Sequence, residues 1–272
     1  ARLEHRRSPI SCLGMKGADR LSPVSPLFVS ELALVLDCTM AIDPTSDLPP
    51  IFIALDMSEA EVAPMIDQLD GLNVGFKVGM ELFYQSGAPL VRSLAQKHDI
   101  FLDLKLHDIP NTVQSAAARI ADMGVRVTTV HAAGGAQMLS GLPALEREDF
   151  QFLAVTVLTS MNQEDLIGLG VKDETPAQRV QRLFSLATQS GIKGFICSPL
   201  EVAALRAQLA DGTFITPGVR PIGASADDQS RVATPSKAMA DGATSLVIGR
   251  PITRAANPRA AAQAILAELA NG

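Results

Sequence analysis

Asp103, Lys105 and Asp108 sit close together in the run Phe101-Leu102-Asp103-Leu104-Lys105-Leu106-His107-Asp108-Ile109-Pro110-Asn111-Thr112. The first half of this run reads as a strand. In a strand, residues i and i+2 share a face, so Asp103 and Lys105 are expected to point one way and Leu102, Leu104 and Leu106 the other. A parallel strand covered by helices normally reads as an unbroken apolar run. An acid and a base on its inner face lose hydration, at a cost of several kcal/mol unless they pair. Catalysis by buried, paired charges would justify that cost. A structural ion pair on a half-exposed strand is the competing reading of this segment taken alone.

Further charged residues recur at comparable places. Asp56 ends the short apolar run from Ile51, and Lys77 stands between Phe76 and Val78 with Gly75 and Gly79 on its own face. His131 and Thr159 close two later apolar runs. Each has a bland reading: Asp56 as the start of a helix, Lys77 as a lysine snorkelling to a rim, His131 as a hydrogen-bonded structural histidine. Jointly, two lysines and three aspartates at one address are poorly explained as solvated surface. Late in the chain, Thr216-Pro217-Gly218-Val219-Arg220 and Val247-Ile248-Gly249-Arg250-Pro251 have the character of an anion site. Gly249 permits close backbone approach, Arg250 offers a bidentate fork, and Gln229 in the intervening loop offers an amide donor. A phosphorylated small molecule is the expected substrate.

The elements that must position these residues alternate regularly. Strands are expected at Ile51–Asp56, Asn73–Gly79, Ile100–Leu106, Val125–Ala132, Phe150–Leu158, Gly194–Ser198, Phe214–Pro217 and Ser245–Gly249. Helices are expected at Ser58–Leu69, Glu81–His98 with a break at Pro89, Asn111–Met123, Gln137–Arg147, Pro176–Ser190, Pro199–Ala210, Pro235–Asp241 and Pro258–Ala270. Ser58 followed by Glu61 is a capping-box signature. Eight β/α units over residues 49–272 predict an α/β fold, a closed (β/α)8 TIM barrel forming a single domain, with its chemistry at the C-terminal ends of the strands. Residues 1–48 do not share this pattern. Arg2, His5, Arg6 and Arg7 precede scattered prolines and serines, and Glu4, Asp19 and Glu31 weaken a transit-peptide reading. This segment is expected to be a disordered extension or upstream read-through, with Met40 a plausible native start.

Composition narrows the function classes. The chain has 272 residues, 47% of them hydrophobic, a net charge of -6 and a pI near 5.2. That charge argues against a general nucleic-acid binder. One Tyr and no Trp make a base-stacking platform improbable. No apolar run approaches the roughly 20 residues of a membrane span. Cys12, Cys38 and Cys197 lack paired or metal-type spacing, so a reduced cytoplasmic setting is expected. No cofactor-binding motif offers an electron sink, and the acids show no metal-ligand pattern with His or Cys. Neither cofactor nor metal is expected.

On these residues the chain resembles the orotidine 5'-monophosphate decarboxylase family over about residues 49–272. The family's Asp-x-Lys-x-x-Asp signature stands here as Asp103-Leu104-Lys105-Leu106-His107-Asp108, followed by Ile109-Pro110-Asn111-Thr112. Pro217-Gly218-Val219-Arg220, Asp228-Gln229 and Gly249-Arg250 match its phosphate loops. The resemblance implies decarboxylation of orotidine 5'-monophosphate to UMP by a cytoplasmic homodimer, without metal or cofactor. It implies Lys105 as proton donor to C6 of the pyrimidine and Asp103 beside the departing carboxylate. Lys77 would bridge Asp103 and the ribose hydroxyls, and Asp56 would bind a ribose hydroxyl. Thr159 would contact the pyrimidine and Pro217 would pack near it. Gln229, Gly249, Arg250 and Arg220 would hold the phosphate, while Asp108 and Thr112 would reach into the neighbouring subunit's site. Phosphate binding would close the loop after the seventh strand.

Three rivals accompany this reading. A sister barrel acting on sugar phosphates, such as a keto-gulonate-phosphate decarboxylase or a hexulose-phosphate synthase, shares Asp-x-Lys-x-x-Asp but uses Mg2+. A Schiff-base aldolase needs a neutral amine, which acidic neighbours of Lys105 disfavour. A nucleotide-binding sensor without activity is the third.

Overall fold

In the computed structural model, residues 48–220 and 233–271 are described. Residues 1–47 of the expected extension, Asp228, Gln229 and most of the loop after the seventh strand lie outside them, while Leu48, expected to be part of that extension, is described and buried. The described chain runs β1 (Ile51–Ala54), α1 (Glu59–Leu69), β2 (Gly75–Gly79), α2 (Met80–Ala95), β3 (Ile100–Leu106), α3 (Pro110–Ala121) and β4 (Val127–His131). It continues through α4 (Ala136–Leu139), β5 (Gln151–Val155), α5 (Gln163–Gly168), α6 (Pro176–Gln189), β6 (Gly194–Ile196) and α7 (Val202–Arg206). The last elements are β7 (Thr213–Thr216), α8 (Pro235–Ala240), β8 (Ser245–Ile248), α9 (Arg250–Thr253) and α10 (Pro258–Asn271). The strands pair in parallel in sequence order, and β1 pairs with β8, closing the expected barrel.

Alternation along the strands divides the apolar residues between two cores. Phe52, Phe101, Val127, Leu153, Ile215 and Leu48 fill the barrel interior. The Phe52 and Phe101 rings meet edge to face there, with centroids 5.7 Å apart. Their strand neighbours, such as Ile51, Ile53, Phe76 and Leu102, face outward and pack beneath the helices. Gly75 is required by the interior packing: a Cβ there would lie 2.6 Å from a Phe52 ring carbon and 2.8 Å from the Asp99 carbonyl oxygen. Phe52 thus plugs the floor of the barrel and leaves its C-terminal mouth to polar side chains.

Local chemistry explains where the helices begin. Glu61 accepts a hydrogen bond from the Ser58 amide at 3.0 Å, as the capping box predicts. Thr175 and Gln178 make the same exchange ahead of α6, at 2.8 and 3.3 Å. Three expected helices differ from the structure, and one helix was not expected. The interruption in α2 falls at Gly87, with φ 67° and ψ −165°, two residues ahead of Pro89. Proline cannot donate to the preceding turn, and glycine absorbs the non-helical angles. The helix expected at Gln137–Arg147 stops at Leu139 and resumes as a 3₁₀ turn, Pro143–Leu145, because Gly141 and Pro143 interrupt it. The helix expected at Pro199–Ala210 is confined to α7. The unexpected α5 is capped by Asn162, whose side chain accepts from the amides of Glu164 and Asp165 at 2.8 and 3.1 Å. Among the described residues, no helix is long and apolar enough to cross a membrane.

Candidate active site

The end of β3 is irregular, and the site is built on that irregularity. Leu102 pairs with Thr128 and Leu106 with Val130, so Asp103, Leu104 and Lys105 together face the single residue Thr129 of β4. Such a bulge breaks the ladder and re-aims side chains. Lys105 has a φ of 51°, the left-handed region, and is the one described non-glycine residue with positive φ. That conformation costs on the order of 1–3 kcal/mol and persists where the surroundings over-determine it. Simple strand alternation therefore does not hold through Lys105. Asp103 and Lys105 still meet: the Lys105 ammonium donates to both Asp103 oxygens, at 2.9 and 2.8 Å.

Neighbouring strands extend this pair into a row of alternating charge. Lys77, on β2, lies 3.9 Å from Asp103 and donates to Asp56, just beyond β1, at 3.1 Å. Asp56, Lys77, Asp103 and Lys105 thus follow one another across three adjacent strands. Lys77 and Asp103 are the inner members, with side chains 11% and 14% exposed, so each gives up most of its hydration and is answered by opposite charge instead. Gly79 leaves room for the row: a Cβ there would stand 3.2 Å from the Lys77 nitrogen and 3.3 Å from an Asp56 oxygen.

Two cavities meet at Lys77, Pro217 and Val247. The first, about 160 Å³, is lined by Asp103, Lys105 and Phe101 of β3 together with Val155, Leu158, Thr159 and Ile196. Its apolar walls and one ion pair suit a flat ring with a reactive edge. The second, about 200 Å³, is lined by Asp56, Gly218, Arg220, Gly249, Arg250 and Arg254. Four cations, counting Lys77, face one carboxylate there, which suits an anion such as phosphate. Lys77, Asp103, Lys105, Thr159 and Pro217 thus line the first cavity, and Asp56, Lys77, Pro217, Arg220, Gly249 and Arg250 the second.

Asp108 and Thr112 line neither cavity. They are exposed at the start of α3, where the Asp108 carboxylate accepts from the Ile109 amide at 2.6 Å. Asp108 has no ion-pair partner among the described residues, so the charge row of one chain ends at Lys105. Arg254 and Thr129 were not singled out by the sequence. Arg254 follows Arg250 by one helical turn, a spacing that puts both on one face and could have flagged it. Nothing in the local sequence marks Thr129. Among the described residues, no three His, Cys, Asp or Glu side chains converge as a metal site.

Burial also shifts Cys197 and His131. Cys197 is fully buried, and loss of solvent pushes its thiol up to about 12, so it is not a nucleophile near neutrality. His131, at the end of β4, lies with its ring 5.4 Å from that of His107. Burial is the main cause holding its pKa below the ordinary histidine value, reinforced by His107 and Lys105 and opposed by Asp103. A histidine whose folded pKa is depressed is protonated first in the unfolded chain, so stability falls as pH drops below about 6.5 and continues to fall until the folded pKa is passed. Thermal melts between pH 7.5 and 5 should therefore show a steeper loss for the wild type than for His131→Gln. Equal slopes would show that His131 titrates alike in both states.

Comparison with known proteins agrees with this geometry. A family model described as "Orotidine 5'-phosphate decarboxylase / HUMPS family" matches residues 49–265. The orotidine 5'-phosphate decarboxylase of Chromohalobacter salexigens is 48% identical over 227 residues, covering 81% of this chain and 96% of that protein. That of Opitutus terrae is 45% identical over 225 residues, covering 80% and 97%. The crystal structure of orotidine 5'-phosphate decarboxylase from Lactobacillus acidophilus superposes with a TM-score of 0.73 at 39% identity, covering 83% of this chain and all of that one. With its barrel, its charge row and this extent of matching, the chain belongs to the orotidine 5'-phosphate decarboxylase / HUMPS family.

Proposed function

We propose that this protein decarboxylates orotidine 5'-monophosphate to UMP and CO2, the last step of de novo pyrimidine nucleotide synthesis, in the cytoplasm and without metal or cofactor. The observation that carries the reading is the Asp56–Lys77–Asp103–Lys105 row at the junction of a ring-sized cavity and a cationic one. The phosphate occupies the cationic cavity against Arg250, Arg220 and the Gly249 backbone, with Gln229 joining from the loop. Asp56 and Lys77 hold the ribose hydroxyls. The pyrimidine enters the apolar cavity between Thr159 and Pro217, with C6 toward Lys105.

The bond from C6 to the carboxylate breaks, CO2 leaves, and the electron pair stays on C6 in the plane of the ring, where no adjacent carbonyl delocalises it. The Lys105 ammonium, fixed by both Asp103 oxygens, offsets this developing charge and then donates its proton to C6. Water returns a proton to Lys105. Asp103 sits beside the substrate carboxylate and favours its departure as neutral CO2. Energy from phosphate binding, remote from C6, orders the site for this step.

The family description spans a second branch, in which a sister barrel acts on sugar phosphates with Mg2+. The names of the 44–48% identical relatives, and the apolar walls of the first cavity, favour the nucleotide substrate. Loss of orotidine absorbance, measured with excess EDTA, is expected to proceed at the same rate as without chelator and to yield UMP and CO2 in equal amounts. Silence toward the nucleotide, with turnover of a sugar phosphate on adding Mg2+, would move the protein to the sister branch.

The working unit in this proposal is a homodimer in which Asp108 and Thr112 complete the partner's site. Their exposure beside Ile109, itself 66% exposed, leaves this edge of the mouth available to a second copy. Asp103→Ala and Asp108→Ala should each be inactive alone. Mixed and exchanged, they should recover roughly a quarter of wild-type activity, since half the dimers would each carry one intact site. No recovery after demonstrated subunit exchange would place Asp108 outside a shared site.

A further inference from the structure

Thr129 is fully buried on β4 and touches the charge pair at two points. Its hydroxyl oxygen accepts from the Lys105 amide at 2.8 Å, and its O–H donates to Asp103 Oδ1 at 2.8 Å. The directions are forced. A backbone amide can only donate, so the hydroxyl oxygen accepts from it, and its single proton is left for the carboxylate. The bulge makes this contact necessary. Three residues of β3 stand opposite Thr129, so the Lys105 amide has lost its place in the sheet ladder. Thr129 supplies the missing acceptor, and among the described residues that amide has no other.

We infer that Thr129 is a positioning residue for the decarboxylation proposed above, the reading on which this inference rests. One hydroxyl fixes both ends of the reacting pair: the left-handed backbone of Lys105, and the rotamer of Asp103 that receives its ammonium. The threonine itself is rigid, because branching at Cβ restricts χ1 in a strand. Asp103 Oδ1 is thereby held by Thr129 and Lys105 together, while Oδ2 faces both Lys105 and Lys77. Without the hydroxyl, the Lys105 amide loses the acceptor that holds it, and the bulge relaxes. A displacement of about 1 Å at a reacting group can lower turnover about a hundredfold.

The adjacent Thr128 provides an internal control. It is equally buried and its hydroxyl is also satisfied, but by the Leu102 carbonyl at 2.8 Å, outside the charge row. Thr129→Val keeps the shape of the side chain and removes both bonds. Its kcat is expected to fall between about tenfold and a hundredfold, with KM for the nucleotide and affinity for UMP held within about twofold. Thr129→Ser should restore most of kcat, and Thr128→Val should lower the melting temperature without lowering kcat. Wild-type kcat in a folded Thr129→Val protein would overturn the inference, as would equal kcat losses in the Thr128 and Thr129 variants. If Thr129→Val does not fold, Thr129→Ser and Thr129→Ala decide the matter. A tenfold gap in kcat between them sustains the role and equal values reject it. A wild-type protein that leaves orotidine 5'-monophosphate untouched would instead reject the functional reading itself.

Discussion

A carboxylate set into the mouth of an apolar barrel must have its charge answered on every side, and Asp103 is that carboxylate. Removing one partner from a buried pair typically costs about 3–5 kcal/mol, because the remaining charge is left in a poor solvent. Asp103 is answered by Lys105 from its own strand, Lys77 from β2 and Thr129 from β4. Each contact constrains an element. β2 must carry glycine at position 79 to admit the lysine nitrogen, β3 must bulge to bring Lys105 round, and β4 must present a hydroxyl where the ladder is broken. The mouth of the barrel is shaped around this one group.

The same arrangement offsets the desolvation of the lysines, since an ammonium facing apolar walls loses hydration that a neighbouring carboxylate replaces. Alternation along Asp56, Lys77, Asp103 and Lys105 lets two cations and two anions share a small volume without like charges in contact. The barrel supplies the spacing, since adjacent parallel strands deliver one member each to the same rim and β3 delivers two. The cationic cavity next door uses β7, β8 and the loops that follow them. A substrate that is apolar and reactive at one end and anionic at the other is matched at both.

Much of this was legible in the sequence, for identifiable reasons. Lys77, Asp103 and Lys105 announced themselves because charges inside strand-like apolar runs contradict the expected pattern. Gly249 and Arg250 stood out by following the eighth such run. The barrel followed from the regular alternation of strand and helix signals, and the capping box at Ser58 marked a helix start correctly. What escaped notice depended on pairing between strands. The left-handed backbone at Lys105 and the facing of three residues onto Thr129 are properties of β3 against β4, and no local window contains them. The shortened helices near Pro143 and Val202, and the added helix capped by Asn162, reflect competition among glycine, proline and side-chain caps that periodicity alone does not resolve.

The central claim is that the Lys105 ammonium acts on the chemical step and not on nucleotide binding. The direct measurement is the single-turnover rate of Lys105→Ala with orotidine 5'-monophosphate, taken beside its affinity for UMP. On this account the rate falls by about a hundredfold to a thousandfold, the loss seen when an oriented electrostatic group is removed from a preorganised site, while UMP still binds. A Lys105→Ala enzyme that turns over within tenfold of the wild type would contradict it, and the charge row would then be a structural feature of the barrel mouth.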